Sequence, residues 1–165
     1  MAREAKYKRD WKPTTIEAVR DACRFYLHTA KIMSNEKVFR PDRDFRFSTM
    51  IRINELALDI FSKCYEANEI NATRNPECAG ERLALQRHAL ADAKLMGCLI
   101  ELARAQFHLP TPKVWNWAVM LHDLHGKIAA WHKSDRARYG KDEGLSNQGG
   151  CRLNPLRSQP APAVC

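Results

Sequence analysis

The sequence contains few of the residues that interrupt α-helices. Its 165 residues include 7 glycines and 8 prolines, and both types become frequent only after residue 139. No segment alternates apolar and polar residues in the pattern of a half-buried β-strand. These two features exclude sheet-based folds and predict an all-α chain with a polar C-terminal tail.

Long apolar runs and closely paired cysteines are also missing. The chain has no secretory leader and no apolar run of about 18 residues, so we expect neither export nor a membrane span. The 6 cysteines never form a Cys-x-x-Cys pair, and Cys23, Cys64 and Cys98 lie among apolar residues. This usage predicts a reducing, cytoplasmic location without structural disulfides.

Signatures of catalysis are absent as well. The chain has no phosphate-binding or dinucleotide-binding glycine loop and no nucleophile elbow. A di-metal carboxylate bundle needs Glu-x-x-His on two helices, and no glutamate here has a histidine three residues later. His122 and His125 have no supporting ligand motif, so we interpret them as packing or surface residues. The sequence predicts a protein without cofactor, metal or catalytic residues.

Four segments do show helical periodicity. The predicted helices span about 14 to 33–35, 44–70, 76–108 and 111 to 136–139. Thr14 and Glu17 have the capping-box spacing, and Thr111 followed by Pro112 is typical of a helix start. Short connections between long helices predict an antiparallel up-down-up-down four-helix bundle over residues 14–138. Residues 1–13 form a basic extension and residues 139–165 a flexible tail.

Apolar residues mark the faces that these helices are expected to bury. On the first helix they form one stripe, and on the second they form two rows. Gly97 is expected to mark close helix packing, and Trp117 falls on the core face of the fourth helix, whereas Trp115 faces away. The first-helix stripe is Ile16, Val19, Cys23, Tyr26, Leu27, Ala30 and Met33, and the second-helix rows are Phe47, Met50, Ile51, Leu58, Phe61, Cys64 and Tyr65, and Ile53, Leu56, Ile60 and Ala67.

Positive charge is concentrated in three places. The formal net charge is +8, and residues 1–12, 37–52 and 133–165 each carry three more basic than acidic side chains. Such a distribution favours a polyanionic partner, because neutralised phosphates release their counterions. An ordinary solvated basic surface is the alternative.

One enzymatic alternative also remains. Helical ribonucleases of the HEPN type carry Arg and His a few residues apart, and Arg82 and His88 have an acceptable spacing. Leu83 stands where that family places a polar residue.

The segment from Arg40 to Ser48 and the residues after it resemble the accessory variability determinant (Avd) proteins of diversity-generating retroelements. The similarity covers residues 16–135, with Ala130 where glycine is common. A related group of four-helix bundles is encoded in intervening sequences of ribosomal RNA genes. The residues that carry the resemblance are Arg52, Ile53, Ala57, Leu58, Asp59, Ile60 and 65–68 on the second helix, Gln86, Ala89, Leu99, Leu102 and Ala103 on the third, and Trp117, Leu121, Ile128, Trp131, Lys133 and Ser134 on the fourth.

The resemblance implies a function. Avd-like proteins form homopentameric, barrel-like rings that bind the reverse transcriptase and its template-repeat RNA in a ribonucleoprotein. They support adenine-targeted cDNA synthesis, the mutagenic step of retrohoming. By this resemblance the RNA- or reverse-transcriptase-binding residues would be Lys37, Arg40, Arg43, Arg46 and Arg52, followed by Arg74, Arg82, Arg87 and Arg104. The alternatives are a bundle of the ribosomal intervening-sequence type that binds structured RNA, and the HEPN-like ribonuclease.

Overall fold

A computed structural model of the protein describes residues 16–35 and 44–140, with side chains from residue 48 onward in the second range. These residues form four α-helices: α1 (Glu17–Met33), α2 (Asp44–Glu69), α3 (Ala79–Phe107) and α4 (Thr111–Tyr139). A 3-10 helix, Pro76–Cys78, leads into α3. The described part of the chain contains no β-strand, which confirms the all-α prediction and is consistent with a four-helix bundle.

Helix ends fall close to the predicted ones. Helix α4 begins at Thr111, and its N-cap is Pro110, which has an extended backbone, rather than Thr111. The end of α3 has a form that the sequence analysis did not foresee. His108 adopts the left-handed conformation at φ 51°, and the backbone N–H of Leu109 then bonds to the carbonyl of Arg104. Histidine tolerates this conformation better than β-branched residues do, and Pro110 prevents the helix from continuing.

All four helices contribute to one hydrophobic core. Its largest fully buried side chain is Trp117 of α4, which is 1% exposed. The indole Nε1 of Trp117 donates a hydrogen bond to Thr29 Oγ1 of α1 at 3.0 Å. Burial of both groups therefore leaves neither polar atom without a partner. The other large buried side chains include Phe25, Ile53, Leu56, Ile60, Leu83, Met96, Ile100, Leu124 and Ile128.

The buried face of α1 differs from the predicted stripe. Leu27 was expected in the core and is 59% exposed, whereas Phe25 is fully buried. Helix α1 is rotated about its axis relative to the predicted orientation. Small residues on its buried face allow neighbouring helices to pack closely, and Thr29 on that face bonds to Trp117. Its buried residues are Ala18, Val19, Ala22, Phe25 and Thr29.

Only one of the two apolar rows on α2 is fully buried. Ile53, Leu56, Ile60 and Ala67 are 0–1% exposed. Ile51, Leu58 and Tyr65 are 41%, 42% and 49% exposed. Because they recur every seven residues, these three side chains share one outward stripe, which we call the α2 stripe.

The cysteines contradict one expectation. Cys23, Cys64 and Cys98 are free thiols, as predicted. Cys78 is disulfide-bonded, so the prediction of a chain without disulfides is wrong. Burial raises the pKa of the Cys64 thiol to about 12. Among the described residues, no helix is both long and apolar enough to cross a membrane.

Gly97 is less constrained than the sequence analysis expected. A Cβ atom added there would lie 3.8 Å from Leu121 Cδ2, which is an ordinary van der Waals contact. Gly97→Ala should therefore stabilise the fold by up to about 1 kcal/mol through helix propensity. Gly126→Ala is the matched control, because nothing lies within 4 Å of its added Cβ. Urea unfolding of both variants measures the effect, and destabilisation by Gly97→Ala alone would show that a close contact occupies this position.

Candidate nucleic-acid interface

The nine predicted interface residues do not all lie within the described part of the chain. Lys37, Arg40 and Arg43 lie outside the described residues. Arg46 lies on α2, but its side chain is also outside them. The structure describes the side chains of the remaining five.

Arg52 and Arg104 are solvent-accessible, with side chains 52% and 51% exposed. Each forms an ion pair within its own helix, with Glu55 at 3.7 Å and with Glu101 at 3.3 Å. Exposed pairs of this kind are weak, on the order of 0.5 kcal/mol. Both guanidinium groups can therefore exchange their carboxylate for a phosphate at little cost.

Arg74 and Arg87 are also exposed, but the arginines do not form one cluster. Arg74 precedes α3, where its backbone N–H donates to the side-chain oxygen of Asn71 at 3.1 Å. Arg104 lies in the last turn of α3. At 1.5 Å per residue the two are roughly 40 Å apart along that helix. A single compact site cannot contain both.

Arg82 points into the protein rather than toward solvent. Its side chain is 11% exposed, and its Nε donates to Asp135 Oδ2 of α4 at 2.6 Å. Its Nη1 donates to the carbonyl oxygens of Ala67 and Ile70, both at 2.9 Å. The guanidinium also lies 5.2 Å from the ring centroid of Trp131. All of these contacts hold Arg82 in place, so we do not include it in the interface.

Gln86 and His132 extend this polar contact. Gln86 is fully buried, and its Nε2 donates to the same Asp135 oxygen at 2.7 Å. His132 Nδ1 lies 3.1 Å from Gln86 Oε1 and must be the donor, since the amide oxygen only accepts. We call Arg82, Gln86, His132 and Asp135 the buried polar network. Gln86 is one of the residues that carry the family resemblance, but its partner Asp135 lies 49 residues away and has no local signal in the sequence.

The same geometry bears on the ribonuclease alternative. His88 is exposed, whereas the Arg82 guanidinium is buried in the network. Six residues on a helix also separate the two side chains by roughly 120° around the axis. Within one copy of the chain they do not converge on a common substrate position.

His122 and His125 line a cleft of about 280 Å³ between α3 and α4. Burial, and then the charges of Lys94 and His122, lower the pKa of His125. The positive charge of Lys94 beside the pair opposes binding of a divalent cation, and Glu101, the carboxylate among the described lining residues, is paired with Arg104. No group of three or more potential metal ligands occurs among the described residues.

A second cleft brings together basic residues that the sequence analysis did not connect. It has a volume of about 240 Å³ and lies between the end of α1 and the start of α4. Lys31 and Lys113 both line it, although they are far apart in sequence. The one feature of the sequence that points to this cleft is the absence of acidic residues from the first turn of α4.

Comparisons with known proteins do not assign a family. No protein-family model matches the chain, and neither curated proteins nor solved structures give a significant match.

Arg82→Ala should destabilise the protein by about 3–5 kcal/mol, because it leaves Asp135 buried without its cation. Arg87→Ala, five residues later on α3 and exposed, should change stability by less than about 0.5 kcal/mol. Arg82→Lys should recover only part of the loss, since an ammonium cannot span the carboxylate and both carbonyls in the same way. Chemical unfolding followed by circular dichroism tests the series. Equal stability of Arg82→Ala and Arg87→Ala would contradict the structural role.

Proposed function

We propose that the protein is an Avd-like, non-catalytic accessory protein that holds a reverse transcriptase and its template RNA together. The observation that carries the proposal is the basic segment 37–52, which joins α1 to a helical body whose pattern resembles that family. On this proposal the protein acts during adenine-targeted cDNA synthesis in a ribonucleoprotein.

The distribution of charge supports the RNA-binding part. Several cations of the body are occupied by carboxylates, as in the contacts Lys63–Asp92 and Lys127–Asp21. Arg82 is paired in the same way with Asp135. Arg52 and Arg104 keep exposed side chains, and the 37–52 segment carries five basic and two acidic residues. Counterion release from RNA would therefore be expected mainly from this segment.

Contacts between helices support an antiparallel up-down-up-down order, which is part of the proposal. Thr29 near the end of α1 contacts Trp117 near the start of α4, whereas Asp21 contacts the later residue Lys127. Numbers that rise on α1 while they fall on α4 are typical of antiparallel neighbours.

Replacing Arg40, Arg43 and Arg46 together by alanine should weaken binding to the template RNA and flatten its salt dependence. Each phosphate contact contributes about 0.7 to the slope of log K against log salt for single strands and about 0.9 for duplexes, so the slope should fall by about two to three. The measurement is a binding titration of labelled RNA at several salt concentrations.

The matched control removes three basic residues from other places, Arg20, Lys133 and Arg136, all of which are exposed. An equal change of slope in both triple variants would contradict a specific role for the segment. Failure of the wild-type protein to form a complex with the reverse transcriptase, while it binds structured ribosomal RNA, would favour the intervening-sequence alternative. RNA cleavage that is lost in His88→Ala would favour the ribonuclease, and this exposed substitution should not disturb folding.

The proposal includes a homopentameric ring whose subunits contact one another through the α2 stripe. Exposed apolar side chains in a repeating row mark protein interfaces. Leu58→Asp should therefore lower the mass measured by light scattering from about five times 19.0 kDa toward that of a protomer. Leu27→Asp is the control, since Leu27 is an exposed leucine on α1 away from the stripe.

An unchanged mass in Leu58→Asp would exclude the α2 stripe from the interface. A wild-type mass of one or two protomers would contradict the ring itself. Loss of the oligomer in Leu27→Asp but not in Leu58→Asp would place the interface on α1.

A further inference from the structure

The cleft between the end of α1 and the start of α4 contains an unusual set of side chains. It brings the last two turns of α1 against the first turns of α4, with a volume of about 240 Å³. A space of this size holds several water molecules or one small polar group with part of its hydration. The residues that line it are His28, Lys31, Ile32, Asn35, Lys113 and Asn116.

Every described polar side chain that lines this cleft can donate a hydrogen bond. Two are ammonium groups, two are amides and one is an imidazole, and none of the described lining residues is a carboxylate. The α3–α4 cleft differs, because Glu101 lines it together with Lys94 and the two histidines. Of the two clefts, only the α1–α4 cleft has no carboxylate among the lining residues that the structure describes.

Lys113 occupies a position where a cation costs stability. It lies in the first turn of α4, at the positive end of the helix dipole, and that turn contains no acidic residue. The backbone N–H groups of Lys113 and Val114 already bond to the carbonyl of Pro110. Recognition of a ligand would therefore depend on side chains, with the dipole adding to the positive potential.

His28 experiences this potential. Burial first, and then the charge of Lys31, lower the pKa of the imidazole. Lys113 faces the same cleft from α4. A bound anion would reverse the electrostatic part of this effect and return the pKa toward its ordinary value.

We infer that the α1–α4 cleft is a binding site for a phosphate group, which Lys31 and Lys113 contact from two helices while His28 donates a hydrogen bond. Lysine binds phosphate as a point charge and needs no bidentate geometry, so two flexible ammonium groups suit a tetrahedral anion. Ile32 is the one apolar residue among the described residues of the lining.

The phosphate can belong to an RNA backbone or to a small phosphorylated molecule. The position of the cleft favours RNA, because Asn35 on its wall lies two residues before Lys37, where the basic segment 37–52 begins. This preference for RNA rests on the proposed function, whereas the phosphate site itself does not.

Titration of the full chain with inorganic phosphate and, separately, with a uridine decamer tests the inference. The histidine ring signals are followed by NMR at constant ionic strength. Both ligands should shift the His28 signal saturably and raise its pKa, whereas His125 in the α3–α4 cleft is an internal control that should not move. Lys31→Gln with Lys113→Gln should weaken phosphate binding by about tenfold or more, as expected for the loss of two charged contacts.

The matched control is Lys133→Gln with Arg136→Gln, which removes the same charge from the exposed end of α4. No saturable shift of His28 with either ligand, or an equal loss in the control, would overturn the inference. RNA binding by the wild-type chain that leaves His28 unshifted would overturn the RNA assignment and leave the proposed function intact. Saturation by phosphate without any RNA binding would support the site for a small phosphorylated ligand and contradict the proposed function.

Discussion

The guanidinium of Arg82 joins three of the four helices through a few short hydrogen bonds. Helix α2 ends without a basic residue in its last turn, so its terminal carbonyls need donors from elsewhere. Arg82 of α3 supplies them to Ala67 and Ile70 and also pairs with Asp135 of α4. A buried charge is tolerated only when it is paired and its hydrogen bonds are satisfied. The orientation of these helix ends therefore depends on one side chain.

This arrangement also separates cations that stabilise the fold from cations that remain exposed. Arg82 faces inward, and Lys127 is held by Asp21 and Glu17 of α1. Hydrogen bonds that Lys127 donates to Asp21 and then to Glu17 raise the pKa of Lys127, so this cation remains charged and bound to α1. The charges that remain for a polyanion include those of the 37–52 segment, of the exposed Arg74, Arg87 and Arg104, and of the two lysines in the α1–α4 cleft. A rigid interior thus separates structural cations from those exposed to a partner.

Much of the fold could be predicted from residue pattern. The ends of α2 and α4 follow local signals, namely the helical period, proline and the onset of polar residues, and these act over one or two turns. The buried face of α1 could not be predicted in the same way. Leu27 is more hydrophobic than Thr29, but Thr29 is the residue that bonds to Trp117, 88 positions away. Cys78 shows the same limit, because spacing alone does not reveal which thiol is oxidised.

The sequence by itself determined the all-helical class, the four helices, and the concentration of positive charge in residues 1–12, 37–52 and 133–165. Only the tertiary structure decided which arginine is interior. Arg82 and Arg87 look alike in a helical pattern, yet Asp135 and the end of α2 surround the first and solvent surrounds the second. The tertiary structure also decided that Lys31 and Lys113 line the same cleft, because α1 and α4 pack together. The physical reason is that periodicity reports a local preference, whereas the energy of a charge depends on the groups that folding brings around it.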